Sequence, residues 1–91
     1  MGVTLSGTLT CVADVQAAHV RAALPDHIAL TRAEADCLSF QLSQTADLRV
    51  WSVSEQFTDA AAFEAHQSRA AASDWARETA GIARDYKTDG L

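Results

Sequence analysis

The sequence predicts an α+β domain in which four antiparallel strands are backed by helices, and three observations carry the prediction. Hydrophobic residues alternate with polar ones in three separate runs, the period of a half-buried strand, and a fourth extended run closes the chain. After the first and third runs the spacing changes to three and four residues, the period of a helix. Only a short polar link, Thr45 to Leu48, joins the second and third runs, which makes those two an antiparallel hairpin.

Residues 3–11 set Val3, Leu5, Gly7, Leu9 and Cys11 on one side and Thr4, Ser6, Thr8 and Thr10 on the other. A helix follows from Ala13, with Val15, Ala18, His19 and Ala22 at helical spacing and Asp14 suited to the exposed amides of its first turn. Pro25 has no amide hydrogen and restricts Leu24, so a break or kink is expected there, with a second helical piece from Asp26 to about Arg32. Alternation returns over Cys37–Ser43 and again over Arg49–Phe57. Thr58-Asp59 opens an alanine-rich helix on which Ala62, Phe63, His66 and Ala70 share a face. Ser73-Asp74 offers a fresh N-cap for a short piece carrying Trp75, Gly81 ends it, and Ile82–Tyr86 is the last strand. The order β-α-β-β-α-β is that of a ferredoxin-like fold, one domain over residues 1–91, with right-handed crossovers placing the helices on one face of the sheet.

Composition closes off several kinds of function. Seven basic against twelve acidic residues give a net charge of −5, the opposite of a phosphate-binding footprint, so no nucleic-acid partner is expected. No uncharged run approaches the roughly 20 apolar residues of a membrane span. The first residues carry no basic run of a secretory leader, so a cytoplasmic location is expected and the two cysteines, Cys11 and Cys37, are expected as reduced thiols. His19, His27 and His66 stand at no metal-ligand spacing with each other or the cysteines, and no metal is expected.

The polar sides of the first three strands are Thr4, Ser6, Thr8, Thr10, Ser39, Gln41, Ser43, Ser52, Ser54 and Gln56, none of them charged. A sheet face meeting water usually carries charge, so a second copy packed face to face is the expected cover, giving a homodimer; a hydroxyl-rich wet face is the alternative.

One residue breaks its strand's pattern. Glu55 falls on the side of Trp51, Val53 and Phe57 that should meet the helices. A buried carboxylate requires a partner, and His66, on the face of Phe63, is the candidate. Such a pair fixes the imidazole's tautomer and makes a general base; it could instead be a packing pair, or Glu55 could reach water at the sheet rim. Trp51, Phe57, Phe63 and Phe40 are expected as pocket walls. His27 is either a capping or surface group beside Pro25 or a pocket residue, while Arg84 and Tyr86 share a strand face that could bind an anionic oxygen or form rim contacts. Neither cysteine has a basic neighbour that would activate a thiolate.

The segments Leu24-Pro25-Asp26-His27-Ile28, Thr31-Arg32-Ala33-Glu34 and Cys37-Leu38-Ser39-Phe40 resemble the antibiotic biosynthesis monooxygenase family. So do Val50 to Phe57 and Ala61-Ala62-Phe63-Glu64-Ala65-His66-Gln67, and the likeness covers nearly the whole chain. The family's Glu-Pro-Gly-Cys turn stands here as Glu34-Ala35-Asp36-Cys37. The resemblance implies a dimeric α+β barrel. It admits cofactor-free oxygenases of quinols and aromatic polyketides, haem-degrading enzymes and isomerases of small signalling molecules. The haem-degrading branch carries an axial histidine late in the second helix, and Ser73 to Glu78 has none. The expectation is therefore a cofactor-free monooxygenase of a small aromatic or quinol, with His66 as base oriented by Glu55. An isomerase of a small carbonyl compound and a non-catalytic small-ligand module are the alternatives.

Overall fold

The computed structural model describes residues 2–91. Its elements are β1 (Val3–Thr10), α1 (Asp14–Arg32), β2 (Cys37–Gln44), β3 (Val50–Phe57), α2 (Ala60–Ala71), α3 (Asp74–Glu78) and β4 (Ala83–Asp89). The strands form one antiparallel sheet in the order β2-β3-β1-β4, the ferredoxin-like arrangement. β1 lies between β3, pairing Val3 with Phe57 and Thr10 with Val50, and β4, pairing Thr4 with Asp89 and Thr10 with Ala83.

Period two decides what faces inward. Val3, Leu5 and Leu9 of β1, Phe40 and Leu42 of β2, and Trp51, Val53 and Phe57 of β3 are buried, and Cys11, Ala17, Val20, Phe63, Trp75 and Ile82 complete the core. Close approach of β4 to β1 depends on Gly7. Its φ is 153°, and a Cβ there would stand 2.0 Å from the Asp85 carbonyl oxygen, so no side chain fits.

α1 departs from expectation twice. It runs unbroken through Pro25. Proline removes the donor for the Arg21 carbonyl, but Pro25 and Arg21 are both exposed, so water can serve that carbonyl. The buried stripe of α1 is Ala17, Val20, His27 and Thr31, while Val15, Ala18, His19 and Ala22 face out. Alanine on every side of this helix leaves its amphipathic signal weak, and packing chose the neighbouring face. Because the helix continues past Pro25, His27 is carried onto the buried side rather than to a cap or the surface.

α2 is capped by Asp59, whose Oδ1 accepts from the Ala62 amide at 2.8 Å. Ser73 precedes α3, but its hydroxyl donates back to the Ala70 carbonyl instead of capping forward. Gly81 takes φ 83° in the turn before β4. β4 runs three residues beyond the expected end at Tyr86. The outward sides of β1, β2 and β3 are uncharged and largely exposed, whereas β4 adds Asp85, Lys87 and Asp89 along one edge of that face.

Candidate active site

Between the sheet and α2–α3 lies a cavity of about 450 Å³, and Glu55, His66, His27, Trp75, Arg84 and Tyr86 are among its walls. β3 delivers Glu55, with Leu5 and Phe40 beside it across the sheet. α2 delivers His66 over the ring of Phe57, centroids 4.9 Å apart. Both residues are buried.

They are not hydrogen-bonded to each other. His66 Nε2 stands 3.7 Å from Glu55 Oε1, beyond hydrogen-bond reach. The partner of His66 is Glu34, in the turn between α1 and β2, whose Oε1 lies 2.8 Å from Nδ1. The same oxygen accepts from Arg69 at 2.7 Å, and Arg69 also donates to the Thr31 hydroxyl at 2.9 Å. Burial works against the ionised form of Glu34, but the bonds from His66 and Arg69 outweigh it and hold the carboxyl below its ordinary range. An ionised carboxylate only accepts, so Nδ1 must donate. In the neutral imidazole, Nε2 is then the lone-pair nitrogen, on the side of Glu55 and the cavity.

Glu55 is the inverse case. Among the described residues it has no hydrogen-bond partner, and Oε1 is fully enclosed. Burial, and after it the charge of Glu34, pushes its carboxyl up to about 7.

The remaining walls divide by chemistry. His27 stacks flat on Trp75, centroids 4.4 Å apart, and meets the edge of Phe40. Burial, then the charge of Arg69, lowers its imidazole to about 4, and its Nδ1 has no hydrogen-bond partner among the described residues. Tyr86 is pushed up to about 12 by burial and keeps its phenolic proton. Arg84 lines the cavity but donates to the Thr79 and Ile82 carbonyls and the Thr79 hydroxyl, which ties β4 to the turn after α3. Phe40, Trp51, Phe57 and Phe63 are core residues outside the cavity's lining. Phe40, Trp51 and Phe57 from the strands and Phe63 from α2 pack among other apolar side chains of the core.

Three members of the His66 network, Glu34, Arg69 and Thr31, were not singled out from the sequence. Arg69 follows His66 by three residues, a spacing that puts both on one side of α2; the positions of Glu34 and Thr31 depend on where α1 ends. Burial raises both free thiols, Cys11 and Cys37. Among the described residues no group of three or more His, Cys, Asp or Glu is placed to hold a metal. No described helix is long and apolar enough to cross a membrane.

A larger groove of about 700 Å³ runs along α1 and α3 and shares His27 and Trp75 with the cavity. Of its carboxylates, Asp74 and Glu78 are occupied by Arg77 and His19. Among its lining residues there is no counterpart to the imidazole held by Glu34.

A ferredoxin-like sheet whose helical side encloses a carboxylate-held imidazole defines a class of small-molecule site. Residues 3–78 match the antibiotic biosynthesis monooxygenase family, and the chain belongs to that family. Among solved structures it is similar to PA3566 from Pseudomonas aeruginosa, with 32% identity, TM-score 0.73, and coverage of 99% of this chain and 91% of that one. It also resembles SnoaB, a cofactor-independent oxygenase from Streptomyces nogalater, at 13% identity and TM-score 0.79, covering 99% and 92% of the two chains. Rv0793 from Mycobacterium tuberculosis aligns at 21% identity and TM-score 0.77, over 100% and 95%. The last two likenesses are of fold alone. No curated protein matches the sequence.

Proposed function

We propose that the protein is a cofactor-independent monooxygenase of a small, electron-rich phenol or quinol, with His66 as its general base. The observation that carries this is the 2.8 Å bond from His66 Nδ1 to Glu34. It fixes the ring and leaves Nε2 as the acceptor beside the cavity, the division of labour by which a carboxylate orients a catalytic histidine. Glu34, not Glu55, takes the orienting role. Removing the phenolic proton gives an anion whose ring carbon can reduce dioxygen, so the substrate supplies the electrons. The chain's own contribution is a base, a cavity walled in part by aromatic side chains and orientation.

Membership of the monooxygenase family and likeness in fold to a cofactor-independent oxygenase support the reaction class. His27 and Trp75 offer a flat aromatic pair at the cavity wall. The uncharged outer face of β1, β2 and β3 supports a homodimer packed through its sheets. A second reading, acid–base isomerisation of a small carbonyl compound, draws on the second carboxyl, Glu55, 3.7 Å across from the base.

Dioxygen consumption with a panel of quinols and hydroxylated aromatics is the test, with His66→Ala as control. Uptake by the wild type and its loss in the variant are expected. An isomerase would turn over its carbonyl substrate with no uptake, and uptake unchanged in His66→Ala would remove His66 from the reaction.

A further inference from the structure

Glu55 is released from the role of holding His66, and its surroundings suit a different one. From α2 it faces His66; from the turn after α1, Glu34; from α1, His27; from β4, Tyr86 and Arg84; and from β2, Cys37. Among the described residues no arginine or lysine pairs with it: Arg69 is engaged with Glu34 and Thr31, and Arg84 with the turn after α3. A buried carboxyl with no hydrogen bond, whose nearest possible ion partner is an imidazole 3.7 Å away, is stable in its neutral form while that imidazole is neutral. That form is a proton donor, placed in the same cavity wall 3.7 Å from a nitrogen arranged to accept a proton.

We propose that Glu55 is a second catalytic residue, the acid that protonates the peroxidic oxygen formed on the substrate. The inference rests on the monooxygenase reading above. His66 Nε2 takes the phenolic proton. A carbon–oxygen bond forms between the ring anion and dioxygen, leaving a peroxide whose terminal oxygen takes the proton of Glu55. The hydrogen on the oxidised carbon then leaves as a proton to the Glu55 carboxylate, restoring the acid. The oxygen–oxygen bond breaks as the new carbonyl forms, and the departing hydroxide takes the proton held by His66 and becomes water. The substrate loses two hydrogens and gains one oxygen, and the second oxygen atom ends in water. Four electrons pass from substrate to dioxygen, with no outside reductant.

The first test is independent of turnover. Infrared difference spectra of the wild type and Glu55→Gln are compared near pH 6. A protonated-carboxyl stretch that shifts in deuterium oxide and is missing from the variant supports the proposal; its absence from the wild type overturns it. The second test follows products from a phenol that the wild type oxidises. In Glu55→Gln the quinone-forming rate falls by roughly 10²-fold, peroxide appears in its place, and Glu55→Asp restores part of the quinone yield. Quinone formed by Glu55→Gln at the wild-type yield per dioxygen overturns the acid role. If no phenol supports dioxygen uptake by the wild type, the monooxygenase reading fails and with it the peroxide step, while the infrared band still decides whether Glu55 stands as an acid.

Discussion

His66 and His27 are both buried, both face the sheet from a helix, and their rings lie 6.1 Å apart. One is bonded through Nδ1 to a carboxylate; the other has an orphaned Nδ1 and lies against Trp75. Burial alone therefore does not make a histidine a base. A carboxylate thirty-two positions away in the chain gives His66 a defined tautomer, and its lack leaves His27 as an aromatic plate that remains neutral. What separates the proposed base from the packing imidazole is the second group it meets, not the interior it shares.

The largest expected effect comes from making both residues phenylalanine in turn. His66→Phe removes the proposed base, and turnover falls by about 10² to 10⁴. It also strips Glu34 of one of its two donors, at a stability cost of roughly 1.5–3 kcal/mol. His27→Phe keeps the stack on Trp75 and deletes a buried nitrogen that bonds to nothing. Stability there is unchanged or higher by about 1 kcal/mol, and turnover falls far less than in His66→Phe. Urea unfolding and dioxygen uptake on the two variants check the contrast; equal losses in both would erase it.

The two histidines were unequally legible. His66 was visible because it lies three residues after Phe63 on a helix whose apolar face is narrow, and Glu55 because strict alternation left it nowhere else to point. Neither signal could pair them correctly. Glu34 reaches His66 only because α1 runs on to Arg32 and the following turn swings the carboxylate back, a long-range consequence no local period encodes. The same continuity decided His27. A local rule breaks the helix at Pro25, but the rule weighs a lost hydrogen bond without knowing that its carbonyl meets water. The topology was the best-encoded feature, since each strand declares its own inward side.

Smaller in size, and sharper as a comparison, is the dependence of stability on pH. Burial lowers His27 to about 4 when folded, from an unfolded value near 6.5. The unfolded chain then binds the extra proton, and stability is lost as pH falls from 6.5 towards 4. Glu55 is raised to about 7 from 4.5, so the folded chain holds the extra proton and stability is lost as pH rises from 4.5 towards 7. Each effect is on the order of 3 kcal/mol at its limit, and between pH 4.5 and 6.5 they oppose one another. His27→Phe should therefore expose a falling limb towards neutral pH. Glu55→Gln should expose a rising one, steepened at its acid end by Glu34, whose carboxyl sits below its ordinary range. Unfolding free energies from pH 4 to 8 for the three proteins measure this, and parallel curves would show that neither group titrates differently on folding.

The smallest effect belongs to the third histidine, and it isolates burial from contact. His19 Nδ1 meets Glu78 Oε2 at 2.9 Å, nearly the 2.8 Å of His66 and Glu34. The His19 pair links α1 to α3, yet its side chains are 49% and 44% exposed, against 2% and 23% for the other. Water screens the charges and solvates whichever partner remains, so His19→Ala should change stability by no more than about 0.5 kcal/mol, and less as salt is added. Around His66, removing Glu34 leaves a buried Nδ1–H without an acceptor, and removing His66 leaves Glu34 with Arg69 as its remaining donor. Double-mutant cycles on the two pairs should then give coupling energies that differ several-fold for contacts of the same length. Equal couplings would mean that distance governs these imidazole–carboxylate contacts, and that the enclosure built by α1, α2 and the sheet adds nothing to the one at the proposed base.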